Sequence, residues 1–203
     1  VLQTAFAGGV HMAIYHCSVQ IIGRSSGRSA IACAAYRAGD NLHDEETGKL
    51  QDYSRKSGVI YYEIALPKNA PESYRDRETL WNAVQRVEKQ GNAQLAREVE
   101  IALPKELSIG QQIDAVSGYV KMTFVKDGMC ADWAIHDKGD GNPHAHIMLT
   151  TRPIKANGEW GAKEKKVYKL DENGERIPVI DKVTGKQKLG KNNLNMWERE
   201  TVQ

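Results

Sequence analysis

A chain of 203 residues with 40% hydrophobic content can bury one sizeable core, so a single domain is the expectation. A net charge of +2 neither demands nor excludes a nucleic-acid partner, and no apolar run approaches the ~20 residues that span a bilayer, which argues against membrane insertion. Cys17, Cys33 and Cys130 show no CxxC spacing, which argues against a disulfide framework or a cysteine-zinc site and fits a reducing cytoplasm.

Taken in chain order, "VLQTAFAGGV" runs into His-Met, so residues 1–11 read as a tag or cloning remnant. Residues 13–22 alternate as a strand, with Tyr15, Cys17, Val19 and Ile21 on its core face. A Gly/Ser/Arg loop at 23–29 leads into a helix over 30–42 that ends near Gly39, its early turns made of Ala30, Ala32, Cys33, Ala34 and Ala35. A strand at 58–67 closes at Pro67. Residues 71–90 form an amphipathic helix with Pro71 in its first turn and a stripe of Leu80, Val84 and Val87. A strand at 97–104 precedes a helix at 108–125 capped by Ser108. The order β-α-β-α-β-α-β-β predicts an α+β fold, a single mostly antiparallel five-stranded sheet covered by helices over a face. From residue 163 the chain turns polar and lysine-rich, with turns at "DENGE" and "TGK". Residues 163–192 read as a protruding basic arm, and the terminal "NNLNMWERETVQ" as the start of a helix in the front portion of a longer protein.

The last two strands flank "DKGDGNP", a turn dense in residues that accept positive φ or fix a bend. His144 and His146 stand two apart on a strand and share a face, roughly 7 Å apart along the chain. Pairing residue 136 with 144 puts His136 on the same face, about 5 Å across the ladder. Three neutral imidazoles converging there suit a divalent metal and leave coordination positions open.

Tyr36 is the one large polar side chain on the alanine-rich helix, and a phenol there can act as a nucleophile when a base or cation polarises its oxygen. Ordinary helix-to-sheet packing is the competing reading. On the strand at 97–104, alternation puts Glu98 and Glu100 on one face and Val99, Ile101 and Leu103 on the other. With the apolar row toward the helices, the carboxylates face outward. There they serve solubility alone, take a phenolic proton, or orient a ligand imidazole.

"MAIYH" (12–16), "GRSAIACAAYRAG" (27–39), "AREVEIALPKEL" (96–107) and "AIHDKGDGNPHAHIMLTTR" (134–152) together resemble, in order, the three motifs of the MobA/MobL relaxases, plasmid mobilisation and conjugation enzymes of the HUH superfamily. The likeness covers about residues 12–152, and residues 52–89 also resemble the stretch between motifs in conjugative nicking enzymes. It implies an HUH endonuclease-like sheet, with residues 12–203 as the N-terminal relaxase domain of a bacterial cytoplasmic protein. Tyr36 would attack the scissile phosphate at a plasmid origin of transfer, leaving a 5′-phosphotyrosine link and a free 3′-OH. His136, His144 and His146 would hold Mn²⁺ or Mg²⁺ to polarise the phosphoryl oxygens. The family also implies an acidic side chain near the tyrosine, and Glu100 and Glu98 both match by position. Accessory relaxosome proteins and a coupling protein are the implied partners, besides single-stranded and hairpin DNA. For that DNA, Arg24 and Arg28, with the following helix N-terminus, suit phosphates, and Lys163, Lys165 and Lys166 lead the arm. Trp133 and Trp160 are candidates for base stacking, with core packing the better reading of Trp133. A HUH replication initiator using Tyr168, a metallo-phosphodiesterase using activated water, and a non-catalytic metal-stabilised binding domain are the alternatives.

Overall fold

In chain order the elements are β1 (Cys17–Gly23), α1 (Ala30–Ala38), β2 (Asn41–Asp44), β3 (Lys49–Asp52), β4 (Val59–Ala65), α2 (Arg77–Val87), β5 (Gln94–Ala102), α3 (Ile109–Thr123), β6 (Ala131–His136), β7 (His144–Thr150), β8 (Lys165–Tyr168) and β9 (Arg199–Val202). The computed structural model describes residues 16–190 and 192–202. Tyr15, the remnant read at 1–11 and Lys191 lie outside the described residues.

Five strands form one sheet in the order β1-β5-β7-β6-β4, every pair antiparallel. The strands richest in buried apolar residues lie in the middle, and both faces of the sheet are covered. On one face, Ile22, Ile64, Ala96 and Met148 pack against the alanines of α1 and against Leu80, Trp81 and Val84 of α2. On the other, Val99, Trp133, Ile135, Ala145, Ile147 and Leu149 pack against Val116 and Val120 of α3. The expectation of helices over one face therefore misses a layer. Of the two carboxylates expected to face outward, Glu98 is wholly buried, while Glu100 keeps part of its side chain in water (29%).

Local chemistry explains the helix ends. Ser29 caps α1 by accepting from the Ala32 N–H, and Gly39 ends it in the left-handed conformation (φ 65°). Pro71 lies ahead of α2 rather than in its first turn, because residues 72–75 form a separate 3₁₀ turn and Asp76 caps the helix by accepting from the Thr79 N–H. Ser108 and Gln111 form a full capping box on α3.

The edges differ from expectation. β1 is an edge strand, and its Val19 and Ile21 are exposed (67% and 50%) rather than core. β4 is the other edge, so Tyr62 on it is exposed as well, although its sequence reads as internal. Residues 41–52, between α1 and β4, add a small β2–β3 hairpin that the hydrophobic pattern does not announce.

The chain divides into two compact units, one through Gly161 and one from Ala162. The second holds β8 paired with β9 and isolated bridges such as Leu170↔Arg176 and Ile180↔Gln187, which close turns at the two places read from Gly and Asp. Arg199–Val202 is a strand, not the beginning of a helix. Its partner β8 supplies the ladder hydrogen bonds across the pair.

Candidate active site

The β6–β7 ladder pairs His136 with His144, and Ala134 with His146. All three imidazoles therefore share the α1 face of the sheet, with ring centroids 5.5, 4.7 and 5.1 Å apart. One ligand nitrogen from each lies within 4.8 Å of the others. Metal–nitrogen bonds of about 2.0–2.1 Å need somewhat closer approach than this.

Each imidazole also has one nitrogen committed elsewhere. His136 Nε2 donates to the Arg37 carbonyl (2.6 Å), His144 Nδ1 to the Asn142 carbonyl (2.9 Å) and His146 Nδ1 to Glu98 Oε1 (2.9 Å). Those bonds fix the tautomers and leave His136 Nδ1, His144 Nε2 and His146 Nε2 as lone-pair donors. Burial pushes the His136 pKa down to about 4, helped by Lys56, His146 and His144 and opposed by the Arg37 carbonyl. The ring stays neutral at neutral pH, the state a metal requires. The donor set fits a divalent ion.

Glu98 is held on three sides. Arg37 grips both its oxygens, His146 donates to one, and Arg28 stands 3.8 Å from the other. Burial raises the Glu98 pKa, but the bonds from His146 and Arg37 outweigh it and hold the carboxyl at about 2. Glu98 therefore orients a ligand imidazole and carries a permanent charge. Glu100 is looser, 3.7 Å from His146 and 3.7 Å from His16.

Tyr36 leaves α1 on its open side, 47% exposed, with its ring edge-on to Tyr53 at 5.4 Å. Its groove is lined by Arg28, Cys33, Lys49, Gln51 and Tyr53 and by none of the three histidines. The link is through the last turn of α1, whose carbonyls lack intrahelical donors. The N–H groups of Gly39 and Asp40 satisfy Ala35, Lys56 Nζ donates to Tyr36 at 2.8 Å, and His136 satisfies Arg37. The backbone of the tyrosine's own turn is thus tied to the imidazole cluster.

Arg24 points inward. Its guanidinium donates to the carbonyls of Glu88 (2.7 Å) and Gln85 (2.9 Å) and pairs with Glu46, so it clamps the end of α2 instead of offering charge to a phosphate. The first amides of α1 are likewise taken, Ala30 N–H by Gln85 Oε1 and Ala32 N–H by Ser29. Arg28 remains partly exposed beside Tyr36, donating to Gln20 at 2.9 Å. In the second unit, Lys163 is half-buried, Lys166 is exposed and Lys165 lies in β8. Trp160 stacks on Tyr74 at 5.4 Å and Trp133 is buried, so both serve packing.

Arg37 and Lys56 carry no sequence signal that separates them from surface cations; only the fold brings them here. Burial lowers the Lys56 pKa to about 8, assisted by the charges of Arg37 and Lys138.

The MobA/MobL family model matches residues 28–203. The chain is 42% identical over 194 residues to the probable mobilization protein MobA of Bifidobacterium longum, covering 94% of this chain and 34% of that protein. It is 38% identical over 185 residues to the mobilization protein MobL of Acidithiobacillus ferridurans, covering 79% of this chain and 47% of that one. A conjugal transfer protein TraA of Agrobacterium fabrum is 38% identical over 200 residues, which are 94% of this chain and 17% of TraA. The chain thus spans less than half the length of each. A solved structure described as the molecular basis of vancomycin resistance transfer in Staphylococcus aureus superposes with a TM-score of 0.70 at 35% identity, over 74% of this chain and 76% of the other.

Proposed function

The chain belongs to the MobA/MobL family, and from that premise we propose that it nicks and rejoins one DNA strand at a plasmid origin of transfer, with Tyr36 as nucleophile. The observation that carries this reading is the bond from His136 to the Arg37 carbonyl, which ties the metal-competent histidines to the residue after the tyrosine. Relatives called mobilization and conjugal transfer proteins support the same role.

In this reading the Tyr36 oxygen attacks phosphorus and the bond to the 3′ oxygen breaks. The phenol loses a proton, the leaving oxygen gains one, and the strand is left as a 5′-phosphotyrosine and a free 3′-OH. Attack by that hydroxyl reverses the step without ATP. His136, His144 and His146 would hold Mn²⁺ or Mg²⁺, which when bound polarises the phosphoryl oxygens. Glu98 keeps His146 in the ligating tautomer. Arg28, and Lys163, Lys165 and Lys166 of the second unit, are the proposed contacts to single-stranded and hairpin DNA; Arg24 is not, being consumed by its bonds to α2. Accessory transfer proteins and a coupling protein are the proposed partners, in the bacterial cytoplasm. Among the described residues, no helix is long and apolar enough to cross a membrane.

The test is a covalent-adduct assay. The protein is incubated with Mn²⁺ or Mg²⁺ and labelled single-stranded oligonucleotides tiled across the transfer origin of its own replicon. A protein-linked band lost in Tyr36→Phe and in EDTA is the expected result. Cleavage without a link that survives Tyr36→Phe marks a phosphodiesterase using water, and tight binding without cleavage marks a binding domain.

A further inference from the structure

We propose that Lys56 is a positioning residue for this reaction: its ammonium pins the Tyr36 turn of α1 against His136, so that nucleophile and ion site move as one body. The proposal rests on the strand-transfer reading above.

Three contacts converge on one nitrogen. Lys56 Nζ donates to the Tyr36 carbonyl at 2.8 Å, stands 3.8 Å from the centre of the Tyr36 ring, and lies 3.5 Å from both ring nitrogens of His136. The first contact holds the backbone of the tyrosine, the second limits its ring, and the third reaches a metal ligand. A cation at a helix C-terminus is favourable towards the exposed carbonyls, and a cation over an aromatic face adds to it when partly desolvated. Lys56 is half-buried, so both attractions are less screened than at a free surface.

The backbone that carries Lys56 is fixed at both ends. The Tyr53 N–H donates to Asp40 just beyond α1, the Lys56 N–H to Tyr53, and the Asp137 N–H to Gly58, at 2.9, 2.9 and 2.8 Å. Gly58 adopts φ +85°, and a Cβ there would meet Lys138 Cγ at 3.0 Å and the Asp137 carbonyl at 3.3 Å. The loop between β3 and β4 is thus closed against the β6–β7 turn, and the same loop supplies Tyr53, edge-on to Tyr36.

The charge is the informative part. A lysine beside His136 opposes a divalent ion at the same cluster by like-charge repulsion. Its benefit therefore lies on the tyrosine side of the contact rather than in holding the ion.

The experiment has two arms on the same proteins: wild type, Lys56→Met, Lys56→Arg and the neighbouring control Arg55→Met. In the first, 3-fluorotyrosine is incorporated and the Tyr36 resonance is identified by its loss in Tyr36→Phe. Lys56→Met is expected to move and narrow that ¹⁹F signal, while Lys56→Arg and Arg55→Met leave it near the wild-type position. An unmoved signal in Lys56→Met overturns the proposal, whether or not the protein nicks DNA. The second arm measures single-turnover adduct formation on the tiled oligonucleotides, with Co²⁺ affinity read from its absorption bands. Lys56→Met should slow adduct formation about tenfold (about 1.4 kcal/mol of barrier), leave binding of DNA unchanged, bind Co²⁺ as tightly as wild type or tighter, and be largely rescued by Lys56→Arg. Loss of Co²⁺ binding in Lys56→Met reduces Lys56 to part of the metal scaffold and overturns the proposal. Absence of any adduct in wild type removes the strand-transfer reading instead, and the fluorine arm still decides whether the pin exists.

Discussion

The two faces of the central sheet are made from alternate residues of the same strands, yet they have opposite chemistry. Toward α3 the strands present Val99, Trp133, Ile135, Ala145, Ile147 and Leu149, a packed apolar surface. Toward α1 and α2 they present Glu98, Glu100, Asp132, His136, His144 and His146, with Ala96 and Met148 filling between them. Taking ionisable groups out of water is costly unless each is paired, and Glu98, Asp132 and His136 are buried here. Here the pairing is built in: Arg37 for Glu98, Arg77 and the Trp81 indole for Asp132, and carbonyls or Glu98 for the imidazoles. Period-two geometry lets one strand stabilise with one row and do chemistry with the other.

The sharpest way to break this division is at Asp132, which lies on the polar face but belongs to its scaffold. Arg77 donates to both its oxygens at 2.9–3.1 Å, and Trp81 Nε1 donates at 2.8 Å. Asp132→Ala leaves the buried Arg77 guanidinium with only the partly exposed Asp40, 3.3 Å away, as a carboxylate partner and is expected to cost about 3–5 kcal/mol, read as a lower urea midpoint. Next comes the apolar face. Ile147→Ala should cost about 2–5 kcal/mol of stability while leaving the proposed nicking rate of the folded fraction at the wild-type level, since its side chain lies on the face opposite the site residues. A nicking rate that falls in step with Asp132→Ala would show the two faces to be coupled.

On the polar face itself the effect moves from stability to the ion. Glu98→Gln should weaken Mn²⁺ or Co²⁺ binding about 10–100-fold by loosening His146, measured by metal titration. The same carboxylate predicts a pH response of the metal-free protein. Its folded pKa of about 2 lies below the ordinary 4.5, so its stabilisation is full above 4.5 and is lost as pH falls toward 2. His136, at about 4 against 6.5, adds a loss in the same direction as pH falls between those values. Thermal unfolding across this range should show both windows, and Glu98→Gln should remove the more acidic one. The smallest effect is at Trp133, whose indole Nε1 is buried on the apolar face without a hydrogen-bond partner among the described residues. Trp133→Phe trades some packing for relief of an unsatisfied N–H and is expected to change stability by about 1 kcal/mol or less.

The histidine hairpin was legible because every step in it is local. A turn of Gly, Asp, Asn and Pro sets the register, and the register sets the face. Tyr36 likewise stood out as the one large polar side chain among the small residues of α1. Arg24 was misread because a loop arginine before a helix looks the same whether it meets a phosphate or the carbonyls of a second helix 61 and 64 positions away. Val19 and Ile21 were misread because alternation reports that a strand has two faces, not whether a helix covers one of them.

By itself, then, the order of residues determined the strands of the central sheet, the Gly39 end of α1, the Ser108 cap of α3, the shared face of three imidazoles and the resemblance that named a chemistry. Only the tertiary structure decided that helices cover both sides of the sheet, that Glu98 is buried between Arg37 and His146, and that Lys56 sits between Tyr36 and His136. The physical reason is range. Turn geometry and periodicity act over a few neighbouring residues, whereas desolvation and charge pairing depend on whatever the rest of the chain brings to the same few ångströms.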